Sequence, residues 1–474
     1  MPDETRVLRL KDMLFRRGGR PRQQLVQFVG AVALRLFFRR IETSRADLVP
    51  GEGPVVFVIN HPNGLIDPGL LFVALPRRIS FLAKSTLFRL PVIGAALRAV
   101  GALPLYRRAD PGEDVSQNVR TFAACRELLR TGGSIALFPE GVSHNSTRLL
   151  PVKTGAARIA LGAAALARGH EGSALSEPAR GLRVVPVGLY YTSKTSFRSE
   201  ALLRFGPPFG VPAVDLDEEG EPPREAVREL SAGIESALLD VTLNAETEEQ
   251  LDAARKAERL FSSVSEGLDL QAPLAERFVF LRRLAEGLFG LRPGAERFEG
   301  LRQRVARHED ELRRMGLSPE NLSLSRHSAW YVFRYFLLRL GLVLALSPLA
   351  LAGAVLHYPA YLACALLARL FPRHGPDEIT PTVKILAAVI FMPLTWLLLA
   401  GLGFYYGGWR AAVLAPPLAA LCGYVALRSF EELYDLRGWF KAVLLLVRRR
   451  RLFLRLLLER RELREELSRL GADG

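Results

Sequence analysis

"VVFVINHPNGLIDPG", residues 55–69, opens as an apolar, largely β-branched run and closes in a turn of Asn, Pro, Gly and Asp. An apolar run without alternation marks a strand buried on both faces, as in parallel sheets covered by helices. Such a strand has no need of a His at its exit or of an Asp one short turn later. His61 and Asp67 therefore admit two readings. In one, Asp67 merely caps a following helix, "PGLLFVALP". In the other, the carboxylate fixes the tautomer of a His that takes a proton near neutral pH. From this stretch alone the two stand level.

Outward from it, residues 51–215 alternate short β-like runs with helical segments. "RISFLA", "GALPLY", "SIALFP", "RVVPVGLYY" and "LLRFG" read as further strands, and "LFRLPVIGAALRAV", "VSQNVRTFAACRELLRTG" and "VKTGAARIALGAAALARG" as helices. Alternation of this kind predicts an α/β domain, a mostly parallel central sheet flanked by helices. Pro186 inside "RVVPVGLYY" predicts an edge strand or a bulge there. Residues 216–330, rich in Glu, Arg, Leu and Ala, read as a helical linker or subdomain without chemistry of its own.

The chain has 474 residues and a formal net charge of +15, with 49% apolar and 24% charged residues. That charge calls for an anionic partner, and the segregation of apolar from basic residues selects among the candidates. Residues 335–371 and 385–428 are nearly continuous apolar stretches, and roughly 20 such residues span a bilayer. Residues 331–430 are therefore expected to hold C-terminal transmembrane helices. Pro348, Pro359, Pro393 and the pair at 416–417 are the expected breaks, giving two helical hairpins.

Residues 1–50 form a basic leader. Its run "LVQFVGAVALRLFFRR" lacks a signal-peptide cleavage site and reads as an amphipathic membrane-docking helix. Residues 431–474, with "RRRR" at 448–451, read as a basic amphipathic tail for anionic headgroups. Cys125, Cys364 and Cys422 lie far apart, without disulfide or metal spacing, which fits a reducing compartment. No phosphate-binding glycine loop, helix-turn-helix or paired-Cys module is present, so no nucleic acid is expected.

Four stretches in the α/β region carry reactive residues at strand ends, where sites of this class are built. The first is "NHPNGLIDP". The second, "GALPLYRR", ends in Arg107 and Arg108, suited to phosphate. The third, "SIALFPEGVSHNS", places Glu140, Gly141, Ser143 and His144 after a strand, with Lys153 at a helix start close behind. The fourth is "RVVPVGLYYTSKTSFRS". No G-x-S-x-G elbow supports a serine hydrolase, and the seven His lack metal-ligand spacing.

In this order the four stretches resemble the blocks of the glycerolipid acyltransferase superfamily. Its pattern is N-H-x-x-x-x-D, then G-x-I-x-x-x-R, F-P-E-G-T-R-S and an apolar run into V-P-V. The match covers roughly residues 40–215. Here five residues separate His61 from Asp67 instead of four, and Val142, Ser143 and His144 stand for Thr, Arg and Ser. Both departures, with "AKSTLF" and "FRS" (197–199), are similar to the branch of fungal glycerol-3-phosphate/dihydroxyacetone-phosphate acyltransferases.

The resemblance implies that His61 is the general base on an acceptor hydroxyl and that Asp67 orients it. An acyl-CoA or acyl-carrier-protein thioester would be the co-substrate, with no cofactor and no metal. Arg107, supported by Arg108 or Lys153, would hold the acceptor phosphate, although loss of the third-block Arg leaves that role open. Glu140 and Gly141 would bind the glycerol end. Asn60, Asn63, Lys84, Ser143 and His144 are further substrate-binding candidates. The implied partners are an acyl thioester, a phosphorylated glycerol, an anionic bilayer and an acyl-carrier protein, with the catalytic domain on the cytoplasmic face of an integral membrane protein. Two rivals stand beside acylation of glycerol-3-phosphate or dihydroxyacetone phosphate: acylation of a lysophospholipid, and a catalytically silent lipid-binding scaffold.

Overall fold

The computed structural model describes residues 4–14, 21–75, 77–108, 110–168, 181–194, 196–262, 273–290, 296–317, 329–370 and 380–470. The chain divides into two units, Met1–Asn244 with Pro372–Ile385, and Ala245–Phe371 with Leu386–Gly474.

The first unit begins with β1 (Thr5–Val7), α1 (Leu10–Leu14), α2 (Pro21–Phe37) and β2 (Phe38–Ser44). It continues through β3 (Val55–Ile59), α3 (Ile66–Ala74), β4 (Ser80–Lys84), α4 (Pro91–Ala99) and β5 (Leu103–Leu105). Next come α5 (Asn118–Arg130), β6 (Ser134–Leu137), α6 (Gly155–Arg168) and β7 (Arg183–Tyr191). β8 (Ser199–Phe205), β9 (Phe209–Gly210) and α7 (Arg224–Leu239) complete it. Among the described residues these strands form one mixed sheet, ordered β1-β2-β8-β7-β3-β6-β4-β5, with β9 also on β7. The pairs β7/β3, β3/β6, β6/β4, β4/β5 and β2/β8 are parallel, whereas β1/β2, β7/β8 and β7/β9 are antiparallel.

The unbroken apolar run of β3 has a direct cause. Val55, Phe57 and Ile59 point into a core shared with Leu34 and Phe37 of α2 and Leu70 and Leu71 of α3. Val56 and Val58 point the other way, into a core with Leu129 of α5, Ala157 and Ala160 of α6, and Leu230 and Ile234 of α7. Both faces are covered by helices, so no residue of the strand can be polar.

Three features differ from the expectations. Within the stretch read as a leader, residues 38–44 form β2, which pairs with β8 and carries a fully buried Glu42 beside Arg40 (2.5 Å). α7, inside the stretch read as a linker, covers the sheet. Third, β7 is an interior strand, flanked by β3 and β8. Pro186 is tolerated because its carbonyl, which accepts from Gly206 N at 2.8 Å, points to the side where the chain crosses from β8 to β9. A residue's N–H and C=O face the same neighbour in a strand, so the missing N–H lies in the gap between the two antiparallel partners and removes no ladder bond.

The second unit holds α8 (Glu248–Ser262), α9 (Leu274–Gly290), α10 (Glu296–Arg314), α11 (Ala329–Leu370), most of α12 (Thr380–Arg448) and α13 (Arg450–Leu470). Leu312 of α10 and Phe453 and Leu456 of α13 share a small apolar core. The expected proline breaks do not occur: α11 runs through Pro348 and Pro359, and α12 through Pro393, Pro416 and Pro417. The chain turns instead at Gly408, whose φ of 70° and ψ of −168° suit glycine alone. A Cβ on Gly403 would lie 3.0 Å from the Ala411 carbonyl carbon, so α12 folds back on itself as two apolar limbs. Among the described residues α12 forms a helical hairpin about Gly408, and α11 is a single continuous helix; the segment between them, 371–379, lies outside the described residues. A Cβ on Gly353 of α11 would run into the Cys422 carbonyl of the second limb, a contact that only a bare backbone allows. Phe333–Leu370 and Thr382–Arg448 are long and apolar enough to cross a membrane.

Burial pushes the Cys125 thiol of α5 up to about 12. N-Ethylmaleimide at pH 8 is therefore expected to leave Cys125 unmodified in the folded protein and to label it after denaturation, read by peptide mass spectrometry. Ile234, fully buried beneath the sheet, gives a second test: Ile234→Ala should destabilise the first unit by about 2–4 kcal/mol, read as a lowered midpoint of unfolding.

Candidate active site

The parallel strands deliver their C-terminal ends to one edge of the sheet, and the reactive residues sit there. β3 leads to His61, β4 ends in Lys84, β5 leads to Arg107, β6 leads to Phe138–Gly141 and β7 ends in Tyr191. Convergence at a carboxyl edge is the usual geometry of ligand sites in α/β sheets.

His61 Nδ1 lies 2.8 Å from Asp67 Oδ2. The Asp67 carboxylate, in the first turn of α3, is fully buried, whereas the His61 side chain keeps 17% of its exposure. The bond to the carboxylate places the proton on Nδ1, and Nε2 is left with a lone pair and no partner among the described residues. The wider five-residue spacing is absorbed by the turn. Asn63 O accepts from the amides of Ile66 (3.0 Å) and Asp67 (3.4 Å), and Asn63 N donates back to Asp67 Oδ2 at 2.7 Å. The helix-cap reading does not hold, because α3 has no side-chain cap. Asp67 Oδ1 accepts from the Tyr191 hydroxyl at 2.6 Å. The His61 ring stacks on Phe138, centroids 4.1 Å apart and planes 22° from parallel.

Glu140 is buried at 2% exposure, and its carboxylate is engaged on every side. Oε1 accepts from His61 N (2.8 Å), and Oε2 accepts from Leu150 N (2.9 Å) and from His144 Nε2. Ser146 N donates to His144 Nδ1 at 3.1 Å, which puts the ring proton on Nε2, facing Glu140. His144 N in turn donates to His61 O at 3.1 Å. Glu140 and His144 thus clamp the backbone of His61. Asn60 has a comparable part: its amide accepts from Leu189 N (2.7 Å) and donates to Leu189 O (3.2 Å), pinning the end of β3 to β7. Asn63 is buried, with Nδ2 3.4 Å from Lys194 O.

The cationic side is organised by Asp110, which the sequence reading passed over although it stands three residues after Arg107. Arg107 reaches both its oxygens (Nε at 3.1 Å, Nη2 at 3.2 Å) and donates through Nη1 to Gly141 O at 2.9 Å. Lys84 Nζ lies 2.8 Å from Asp110 Oδ1. Burial pushes Asp110 up, but the hydrogen bonds and charges of Arg107 and Lys84 outweigh it and hold the carboxyl below the ordinary carboxylate range. Two cations on one carboxylate leave this cluster with a net positive charge. Gly141, at φ 75°, leaves room that a Cβ would take from Lys153 Nζ. Lys153 and Arg108 are exposed and have no ion-pair partner among the described residues. Ser143 is half-buried in the same loop. No group of three or more His, Cys, Asp and Glu among the described residues is placed to hold a metal ion.

The His61–Asp67 pair, the Glu140 clamp and the cationic cluster lie together at the carboxyl edge of one mixed sheet. The Acyltransferase family model matches residues 40–190, and the "Glycerol-3-phosphate acyltransferase 2 C-terminal domain" model matches residues 254–472. It is 28% identical to "Glycerol-3-phosphate O-acyltransferase 2" of Saccharomyces cerevisiae, over 59% of this chain and 37% of that one. It is 25% identical to an uncharacterised acyltransferase of Schizosaccharomyces pombe, over 79% of this chain and 67% of the other. A chloroplastic 1-acyl-sn-glycerol-3-phosphate acyltransferase of Arabidopsis thaliana is 32% identical over 34% of this chain and 38% of its own. The chain thus spans between about a third and two thirds of the length of these relatives.

Because its pKa is depressed in the folded state, Asp110 contributes stability that is complete above the unfolded value of about 3.9 and is lost as pH falls through the folded value. Wild type and Asp110→Asn should differ most in urea midpoint at neutral pH, and the gap should close as the pH is lowered below about 4.

Proposed function

We propose that this chain transfers a fatty acyl group from an acyl thioester, carried by CoA or an acyl-carrier protein, to a hydroxyl of glycerol-3-phosphate or dihydroxyacetone phosphate. The observation that carries the reading is the His61–Asp67 pair, with Nδ1 tied to a buried carboxylate and Nε2 free. His61 Nε2 takes the proton of the acceptor hydroxyl as its oxygen attacks the thioester carbonyl. The tetrahedral intermediate expels the thiolate, and the imidazolium returns the proton to it. Asp67 orients the ring and stabilises the imidazolium, as in the base–carboxylate half of a hydrolase triad, while the substrate supplies the nucleophile. The thioester is the co-substrate, and this chemistry calls on no cofactor.

Arg107, braced by Asp110 and Gly141, and the unpaired Lys153 and Arg108 would hold the acceptor phosphate. The match of the C-terminal half to a glycerol-3-phosphate acyltransferase domain supports this acceptor. Relatives named as 1-acyl-sn-glycerol-3-phosphate acyltransferases match about a third of this chain or less. They keep acylation of a lysophospholipid as the second reading. The exposed apolar surfaces of α11 and α12 support insertion in a membrane. The net charge of +15 and the exposed arginines at 448–451 support contact with anionic headgroups, with the catalytic unit on the cytoplasmic face.

The test is acyl transfer from labelled acyl-CoA by the purified full chain in detergent, offering each acceptor in turn. His61→Ala should lose on the order of 10³-fold or more in kcat, and Asp67→Asn about 10²–10⁴-fold, with little change in KM. Arg107→Ala should instead raise KM for the phosphorylated acceptor by about tenfold or more. Undiminished transfer by His61→Ala would sink the mechanism. Tight lipid binding without transfer to any acceptor would favour the scaffold.

A further inference from the structure

We infer that Tyr191 is a positioning residue of the active site, acting on His61 through the far oxygen of Asp67. The inference rests on the reading of His61 as a general base.

The Asp67 carboxylate is fully buried, and a buried anion is tolerated only when donors surround it. Oδ2 takes two, His61 Nδ1 and Asn63 N. Oδ1 takes the Tyr191 hydroxyl at 2.6 Å. Without that hydroxyl, Oδ1 would be a bare oxygen in an apolar core, and apart from His61 itself only the Asn63 amide would restrain the rotation of the carboxylate. The angle at which Oδ2 meets the His61 ring, and hence the aim of Nε2, would then be set by one bond instead of two.

Tyr191 is itself held. It is 4% exposed, and its ring stacks on Phe38 of β2, centroids 5.6 Å apart and planes 23° from parallel. The ring stands at the end of β7, paired with Ala201 of β8. Three separate pieces of chain thus meet on one carboxylate: β2 through Phe38, β7 through Tyr191, and the His61 loop. The phenol is also a dependable donor, since burial and the neighbouring Asp67 charge raise its pKa well above the ordinary tyrosine value.

The arrangement makes Tyr191 more than a core aromatic. A neutral donor on Oδ1 spreads the carboxylate charge and moderates its hold on the imidazolium. Its removal concentrates charge on the oxygen facing His61, so protonated His61 is held more tightly and the acid limb of the rate profile moves to higher pH.

The test uses the full chain and Tyr191→Phe, which keeps the ring and its stack on Phe38. In the wild-type background kcat should fall about tenfold with KM for both substrates nearly unchanged, the cost of one unsatisfied buried acceptor. The acid limb of kcat against pH should move up by about half a unit. In an Asp67→Asn background the same change should cost less than about twofold, because the oxygen it acts on is altered already. Equal losses in the two backgrounds, or a loss confined to KM, would overturn the role and leave Tyr191 as packing. A substrate-free readout separates this from failure of the proposed activity. The pH midpoint of His61 carbethoxylation, followed by peptide mass spectrometry, should rise in Tyr191→Phe whether or not an acceptor is turned over, and an unmoved midpoint would refute the coupling.

Discussion

One buried carboxylate governs the arrangement of residues at the carboxyl edge of the sheet. Asp67 lies in the first turn of α3 with none of its surface in water, so every lone pair it offers must meet a donor or the ionised form would not persist. The donors come from the imidazole of His61, the backbone of Asn63 and the phenol of Tyr191. Satisfying one side chain thereby fixes a tautomer, a turn and the register of two strands. Glu140 plays the matching part on the neighbouring loop, joining the His61 amide, the Leu150 amide and the His144 ring around a second buried acid. His61 is held by its ring on one side and by its backbone on the other.

The two acids divide labour with Asp110, which faces cations instead of a histidine. Arg107 and Lys84 converge on it, so the guanidinium is held in one orientation. Arginine held in this way loses little freedom on meeting a phosphate, whereas Lys153 and Arg108 keep theirs. An ion-paired arginine and two exposed cations therefore flank the same loop.

Much of this was legible in residues 55–69, because the information there is local. An apolar run that cannot alternate names a strand buried on both faces, and a His and an Asp a short turn apart can meet only if the turn lets them. The third-block Glu follows from the same kind of signal, whereas the sheet order around β3 does not. Strand β2 escaped because "FRRIETS" reads as charged surface, and its pairing partner β8 lies far along the chain. Nothing local tells that Glu42 is buried beside Arg40. Tyr191 escaped likewise, as its hydroxyl is useful only once β7 lies beside β3. The break in α12 was misplaced because proline is the stronger local signal. In an apolar helix a proline forfeits little, whereas Gly408 adopts a backbone that no other residue accepts easily.

Placing β2 inside the sheet has a bearing on where the catalytic unit begins. A chain shortened to start at residue 51 would keep every residue of the four blocks, yet β8 would lose its parallel neighbour and present a bare edge of unpaired amides to other molecules. Phe38 would leave with it, and the ring beneath the Asp67 donor would lose its stacking partner. The stretch that reads as an address label is a wall of the room in which His61 stands.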